Sequence, residues 1–353
     1  MVQKMAAEFT SRVQYNIVTT RYPVPRAEWK RMSFLEKLDE KMFGGSSIKE
    51  IARKFDPDII YADSSLYAAQ FELVSLLSHK RRPLILHLRG DWWREHWATF
   101  ESTSWRGRIL STQQYSYNWT AGALATKITP ICRWLQTVVR HHLPGKRTEV
   151  VYQGVDPAEF QPECGLNLQQ PAVAIIQNHS IYPKVEGLLK FRGVVKKLPQ
   201  VHFYIAEGEA WAQQFLHLVK EHYTGFPNVH FVKGVTSAEA VRRMLTACNF
   251  YVLASGLDCC PTTVLEASLV EKPVLASRVG GVPEIIVDGH TGWSIGNENT
   301  DEWVSKIQML LGDPKLSRIL GRQGRTWVSD NFSWQVIAPQ VERLIIKETA
   351  RGG

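Results

Sequence analysis

Apolar runs of four or five residues alternate with longer stretches of helical period along most of this chain. In the first half, Asp58-Ile-Ile-Tyr-Ala62, Leu84-Ile-Leu-His-Leu88 and Thr126-Lys-Ile-Thr-Pro-Ile131 read as strands, while residues 34–54 and 67–79 read as helices. Residues 1–11 also read as helix and Tyr15-Asn-Ile-Val-Thr19 as a strand. The second half restarts the rhythm. Ala172-Val-Ala-Ile-Ile176, Val201-His-Phe-Tyr-Ile205 and Val229-His-Phe-Val232 are expected strands. Residues 185–198, 210–223, 237–246 and 301–311 are expected helices, Ser237 being a partial cap with Ala240 where a capping box has Glu. Strands alternating with helices of this length predict an α/β chain with parallel sheets. The rhythm breaks near Gly154-Val155-Asp156, with Pro157 and Pro162 just beyond. We therefore expect a first domain over 1–155, a second over 156–333 and a helical tail over 334–353.

One unit carries more chemistry than the rest. Phe250-Tyr-Val-Leu-Ala254 ends in Ser255-Gly256, and a helix-compatible stretch begins just past Pro261. Pro is favoured in the first turn of a helix, and Thr262 or Thr263 suits the cap. The helix is expected to stop at Lys272, because Pro273 disfavours helical geometry in the residue before it. A further apolar run, Val274-Leu-Ala276, then leads to Gly280-Gly281. Backbone N–H groups at such a helix start suit a phosphate, and the acids Asp258 and Glu266 suit hydroxyls. A sugar nucleotide presents both.

At these residues the chain resembles the family-4 retaining glycosyltransferases. Their GT-B fold has two Rossmann-like parallel-sheet domains facing a central cleft, and a C-terminal helix that crosses back onto the first domain. Their signature is two acids eight positions apart with Pro between them; Asp258 stands where Glu is usual, and Glu266 matches. Three further stretches agree in order: Val150-Val-Tyr-Gln-Gly154-Val-Asp156, Asn228-Val-His-Phe-Val-Lys-Gly234-Val235 and Gly289-His-Thr-Gly292-Trp293. The resemblance implies that Asp258 contacts donor-sugar hydroxyls near the reacting carbon and that Glu266 binds the ribose. It implies that the amides of Thr262, Thr263 and Val264 hold the pyrophosphate, with Lys184 as the diphosphate cation. Gly234 and Val235 would border the base, and His179 and Gly281 would complete the donor site. The residues themselves leave plainer readings open: a helix-dipole carboxylate for Glu266 and Glu284, a solvated loop lysine for Lys184, a turn glycine for Gly234.

The chain departs from the family in three places. The family commonly has a His at the tip of a first-domain strand, near the reacting centre. Here Arg89 occupies that spot, with His87 two residues earlier on the same strand face; both are candidate catalytic residues. No Arg precedes Lys184 in Ile176-Gln-Asn-His179-Ser-Ile-Tyr-Pro-Lys184. With residues 1–11 read as helix and 15–19 as the strand the family would place second, the usual opening strand and Gly-rich loop are not expected in the first domain. Beyond the strand tip, Asp91-Trp92-Trp93 lies where open α/β sheets place ligands and is expected to wall the acceptor, some tryptophan being buried under a helix.

Composition refines the partners. The 353-residue chain has formal net charge +8. Up to Val155 there are 23 Lys and Arg against 14 Asp and Glu, and from Asp156 onward 19 against 20, so the excess lies in the acceptor half. A basic surface there fits an anionic or lipid-linked acceptor, or peripheral contact with an acidic membrane face. It equally describes an ordinary basic surface. No basic repeat with interleaved aromatics and no zinc-finger spacing points to nucleic acid. The N-terminus lacks a signal-peptide block and no run spans a bilayer, so the expectation is cytoplasmic, at or near the inner membrane face. The five cysteines form no C-x-x-C pair, and Cys259-Cys260 reads as two small loop residues.

The sequence thus predicts an enzyme that moves a hexose from a nucleoside-diphosphate sugar, UDP- or GDP-linked, to a hydroxyl acceptor. Retention, no prosthetic group and no metal are what the resemblance implies, and glycan synthesis is the expected setting. The alternative is a nucleotide-sugar-binding protein with little transfer activity. A third reading, a GT-B epimerase, is disfavoured by the late acidic pair.

Overall fold

The computed structural model describes Met5 and residues 58–63, 82–102, 105–163 and 165–352. The helices expected over 1–11, 34–54 and 67–79 and the strand over 15–19 lie outside the described residues, Met5 apart. Two parallel sheets organise the rest. The first is β1 (Ile60–Ala62), β2 (Leu84–Leu88) and β3 (Lys127–Pro130), in that order. Every residue of β2 is buried, as expected of a parallel strand covered on both faces. Between β2 and β3 run α1 (Trp92–Ser102) and α2 (Trp105–Leu124), and α3 (Arg133–His142) follows β3.

The second sheet contains β4 (Ala172–Ile175), β5 (His202–Ala206), β6 (Val229–Val232), β7 (Phe250–Leu253), β8 (Val274–Ser277) and β9 (Gly292–Ile295). Its strand order is β6-β5-β4-β7-β8-β9, all parallel. This is a doubly wound sheet whose direction of winding reverses between β4 and β7. Loops leaving the carboxyl ends of those two strands diverge, and the crevice between them is where such sheets take ligands. The helices of this half are α4 (Tyr182–Lys190), α5 (Arg192–Lys197), α6 (Leu216–His222), α7 (Ala238–Ala247), α8 (Thr262–Leu269), α9 (Thr300–Gly312) and α10 (Pro314–Phe332). The chain closes with α11 (Trp334–Gly352). No described helix is long and apolar enough to cross a membrane.

Three expectations need correction. The helix expected over 185–198 is two, α4 and α5, parted at Phe191, and α4 starts earlier because Pro183 serves its first turn. The stretch 210–223 is a single 3-10 turn (Ala210–Ala212) and then the short α6. The signature helix α8 ends at Leu269, not Lys272. Glu271 turns left-handed at φ 58°, and the amides of Glu271 and Lys272 close onto the carbonyls of Ser268 and Ala267. That is a Schellman closure without its usual glycine, so the end is set before Pro273 acts.

The tail crosses back onto the first half of the chain, as the resemblance implies. Trp334, Ile337, Ala338, Val341 and Leu344 of α11 form one core cluster with Ile85 of β2 and Val151. The two crossings run side by side: Val155 N–H donates to Phe332 O (2.9 Å) and Trp334 N–H to Val155 O (3.0 Å). A Cβ on Gly154 would stand 2.3 Å from the Trp334 ring, so the glycine permits this approach. At the far end of α11, Glu348 is 2 % exposed and its Oε1 accepts from Arg147 (2.6 Å) and Lys127 (3.3 Å).

Burial opposes ionisation of Glu348, but the hydrogen bonds and charges of Arg147 and Lys127 together outweigh it, and its pKa is lowered. A carboxylate with a depressed folded pKa adds stability above its unfolded value of about 4.3, and that gain is lost as pH falls through the folded value. Glu348→Gln is therefore expected to lower the thermal midpoint at pH 7, with the gap to wild type closing as pH is taken below about 4. A gap that is constant from pH 7 to pH 3 would show that the charge of Glu348 does not hold α11.

Candidate functional site

The crevice at the switch point is built from three loops that touch through glycines. After β7 the chain runs through Ser255-Gly256 to Asp258. Gly187 of α4 lies against that loop so closely that a Cβ would stand 2.2 Å from the Ser255 carbonyl carbon. Gly256 N–H donates to Pro183 O at 2.9 Å. The third loop follows β8: a Cβ on Gly280 would stand 2.0 Å from Asp258 O, and one on Gly281 2.1 Å from Cys259 O. Gly280 also sits at φ +52°, which favours glycine.

This packing brings Lys184, which follows β4, to Asp258, which follows β7. Lys184 Nζ is 3.1 Å from Asp258 Oδ2 and 3.2 Å from Oδ1. Asp258 is nearly buried, and its Oδ1 also accepts from Cys259 N–H (3.1 Å). Burial pushes the Lys184 pKa down, but the Asp258 and Glu95 carboxylates more than offset it, so Lys184 stays a cation with a raised pKa.

Glu95 was missed in the sequence. It lies in the first turn of α1, four residues after Asp91, whose carbonyl accepts its N–H at 2.9 Å. Its carboxyl lies over Gly90, where a Cβ would stand 2.8 Å from Oε1. Burial, reinforced by Asp258 and Asp91 against Lys184, pushes its pKa up to about 7. The only sequence signal was its position one turn beyond a strand tip, overshadowed by the three tryptophans around it.

The signature helix presents its start to the same crevice. Pro261 occupies the cap position without a side-chain cap, so Thr262 and Thr263 are the first helical residues and not caps, a correction to the expectation. Proline's fixed backbone provides the entry angle that a capping hydroxyl would otherwise stabilise. Thr263 Oγ1 pairs with Tyr251 Oη (2.8 Å), and Val264 N–H donates to Pro261 O (3.1 Å). Glu266 stands half-buried in the next turn.

The other candidates take different places. Gly234 has φ +76° in the exposed turn after β6, and Val235 is buried in the main core. His179 is fully buried: Nε2 meets Ala206 O at 2.9 Å, and its backbone is bonded to Ala212 and Phe215, so it ties β4 to the 210–215 segment. His87 is buried on the face of β2 shared with Ile85, with Nδ1 3.1 Å from Thr129 Oγ1 and its ring stacked on Tyr61. Burial and the Arg89 charge lower its pKa to about 3, so it is neutral at physiological pH. Arg89 is exposed and pairs with Asp63 at 3.4 Å. The partners of His87 and Arg89 are thus Thr129 and Asp63, and the structure does not join either to the Lys184–Asp258 pair.

Of the residues expected to wall the acceptor, buried Asp91 caps α1 by accepting from Arg94 N–H (3.1 Å). Trp93 is buried and stacks on His142 with centroids 4.4 Å apart, and Trp92 is half-buried. A groove of about 440 Å³ between α1 and α3 is lined by Asp91, Trp93, Arg94, Trp97, His141 and His142.

Glu284 joins the halves of the chain. Its carboxylate accepts from Arg133 N–H (2.8 Å), Trp134 N–H (2.7 Å) and Tyr152 Oη (2.8 Å). It is a helix-dipole carboxylate, as one sequence reading had it, but for α3 of the first half and not for its own segment. Cys132, beside it, is a free buried thiol, as are Cys259 and Cys260.

The family model for glycosyl transferases group 1 matches residues 159–327. Alpha-maltose-1-phosphate synthase of Mycolicibacterium smegmatis is 27% identical over 225 residues, 58% of this chain and 58% of that protein. The GDP-mannose-dependent alpha-(1-6)-phosphatidylinositol monomannoside mannosyltransferase of the same species is 36% identical over 81 residues, 23% of this chain and 21% of its own. The matches thus span 58% or less of these relatives' lengths. Among solved structures, sucrose-phosphate synthase from Thermosynechococcus elongatus superposes with TM-score 0.71 at 19% identity, covering 93% of this chain and 81% of that one. Anabaena HepE in complex with UDP-glucose gives TM-score 0.67 at 18% identity, covering 86% and 81%. At such identities the structures speak for the fold, and the sequence match for the family. The sequence match places residues 159–327 among the group 1 glycosyltransferases, and the structural likeness, with the doubly wound second sheet and the returning C-terminal helix, shows the GT-B fold.

Proposed function

We propose that this protein transfers a hexose, with retention, from a nucleoside-diphosphate sugar to a hydroxyl acceptor. The observation that carries the reading is the Lys184–Asp258 pair at the switch point of the second sheet, beside the start of α8. A diphosphate entering there meets the Lys184 ammonium and the first-turn amides, which stabilise the charge that builds on the leaving group. Asp258 is released from Lys184 by that exchange and turns to the sugar hydroxyls. Glu266, one turn deeper on α8, binds the ribose. HepE has been solved with UDP-glucose, which supports a nucleotide-sugar donor here as well. The basic first half supports an anionic or lipid-linked acceptor in the groove beside Trp93.

Saturation-transfer NMR against UDP-, GDP- and ADP-sugars identifies the donor, and two variants test the roles. Glu266→Ala should weaken binding of the free nucleotide by about 1–3 kcal/mol, the loss of a charged hydrogen bond. Asp258→Ala should leave free-nucleotide affinity intact and lose only the part that depends on the sugar. Equal losses of free nucleotide in both would overturn the division of roles. A wild type that binds donor without turnover would instead be a nucleotide-sugar-binding protein.

A further inference from the structure

We infer that the outer face of α2 docks on the surface of an acidic lipid bilayer, a property that does not depend on the transfer reading above. Half of the large apolar side chains exposed among the described residues lie on α1 and α2. Trp97 is 58 % exposed, Trp105 67 %, Ile109 58 % and Trp119 53 %. At 3.6 residues per turn, Trp105, Arg108, Ile109, Thr112, Ser116 and Trp119 fall within an arc of about 100° and run most of the length of the helix. The opposite side of α2 is the one that packs. Ser111 Oγ meets His96 Nδ1 at 2.8 Å, Tyr115 stacks on the His96 ring, and Asn118 and Ala121 are buried. Trp97 adjoins the stripe through Phe100, whose ring it meets edge-on while the Arg108 guanidinium lies 5.3 Å from the same ring's centroid.

The polar members of the stripe are suited to a surrounding poor in water. Thr112 Oγ1 donates to Arg108 O (2.9 Å) and Ser116 Oγ to Gln113 O (2.7 Å), so both hydroxyls are satisfied by the helix's own carbonyls. Neither needs a partner from outside.

Charge and area select the occupant. Helix α2 contains Arg106 and Arg108 and no acid, and the neighbouring α3 ends in Arg140, His141 and His142. Glu101 is the one exposed carboxylate in residues 89–125. Such a face complements anionic headgroups, and indoles settle at headgroup depth because the ring is apolar while its N–H stays wet. The four apolar side chains expose on the order of 500 Å² between them, below the roughly 800 Å² per partner that a stable protein pair buries. That disfavours a second copy of the chain. Trp105 and Trp119 are separated by about 21 Å along the axis, at 1.5 Å per residue, and both project from a convex helix. A flat, fluid interface receives both at once. The groove between α1 and α3 shares Trp97 with this surface, so a lipid carried by the bilayer lies beside it.

The test is sedimentation of the whole chain with vesicles of phosphatidylcholine alone, or with about a third phosphatidylglycerol, at low salt and at about 150 mM. The wild type should bind the acidic vesicles about tenfold more tightly than the neutral ones, and acyl chains brominated close to the headgroup should quench its fluorescence. Trp105→Ser combined with Trp119→Ser should lower partitioning about tenfold or more at both salt concentrations and lose most of the quenching, with the thermal midpoint unchanged. Trp105→Tyr combined with Trp119→Tyr keeps an interfacial aromatic and should retain most of the binding, which separates docking from a folding defect. Acidic-vesicle binding that the serine pair leaves intact would assign it to the basic surface at large and overturn the proposal. A wild type that binds neither vesicle overturns it too. So does a concentration-dependent dimer that the serine pair dissolves, since a second copy would then be what covers α2.

Discussion

Replacing Lys184 by methionine is expected to lower transfer by about two orders of magnitude and to weaken nucleoside-diphosphate binding by about 3 kcal/mol. Methionine keeps much of the side-chain length and its apolar stem, so the variant removes the charge and little else. Two effects follow together. The donor's diphosphate loses its one expected side-chain cation, and Asp258 is left nearly buried beside Glu95 with no ammonium between them. Removing one partner of a buried pair typically costs about 3–5 kcal/mol, because the remaining charge has neither water nor counter-ion. Here some of that cost is relieved by protonation: without Lys184, the ammonium that lowers the Glu95 pKa is gone, and its carboxyl should titrate above its present value of about 7. The variant should therefore show weakened UDP or GDP binding by calorimetry, a collapse of turnover, and a Glu95 titration moved upward. Unchanged nucleotide affinity would place the diphosphate elsewhere and remove Lys184 from the donor site.

Glu284→Ala should destabilise the chain by about 3 kcal/mol and loosen the contact between its halves. The carboxylate accepts three hydrogen bonds, two from the amides that open α3 and one from Tyr152 Oη. Each bond to a charged acceptor contributes about 1.5–3 kcal/mol, but the three share one carboxylate and will not add. Helix α3 has only a weak cap of its own, the Cys132 sulfur at 3.3 Å from Leu135 N–H, so its positive end relies on Glu284. Burial, and the negative charge of Glu284 after it, raise the Tyr152 pKa, which keeps the phenol a donor at all ordinary pH. Urea unfolding should show the loss, and small-angle scattering should show a larger radius for the variant without ligand. Glu284→Gln, which retains an acceptor oxygen, should lose roughly half as much. A variant with wild-type stability and radius would mean that the halves are held by their shared apolar core alone.

Much of the fold was legible because its strands are short, apolar and bounded by turn residues. Leu84–Leu88 and Val229–Val232 fall where the pattern put them, and the signature unit was readable because Pro261, Gly280 and the paired acids each have a local reason. Other elements were not. Helix α10 escaped because Gly321 and Gly324 lower its helix propensity; Gly321 is required because a Cβ there would stand 2.0 Å from Glu271 O, a packing constraint with no local trace. Residues 210–223 carry an amphipathic pattern that predicts one helix, yet His179 bonds to Ala212 and Phe215 and bends the segment.

The site divides in the same way. By itself the sequence determined the chemistry available in the second half: acids, a lysine and a proline-started helix, each tied to a strand end by its neighbours in the chain. Only the tertiary structure decided which of them meet. Lys184 and Asp258 are 74 residues apart and come together because β4 and β7 are adjacent where the sheet reverses its winding. Glu284 and Arg133 are 151 residues apart, and what looked like a carboxylate for its own helix serves another. Glu95 has no motif at all; its altered ionisation arises from burial and from charges that reach it across the crevice. Periodicity and turn chemistry act between near neighbours, so the sequence reports them directly. Charge coupling and close approach depend on distances through space, which sheet order, glycine contacts and the returning tail fix only once the chain has folded.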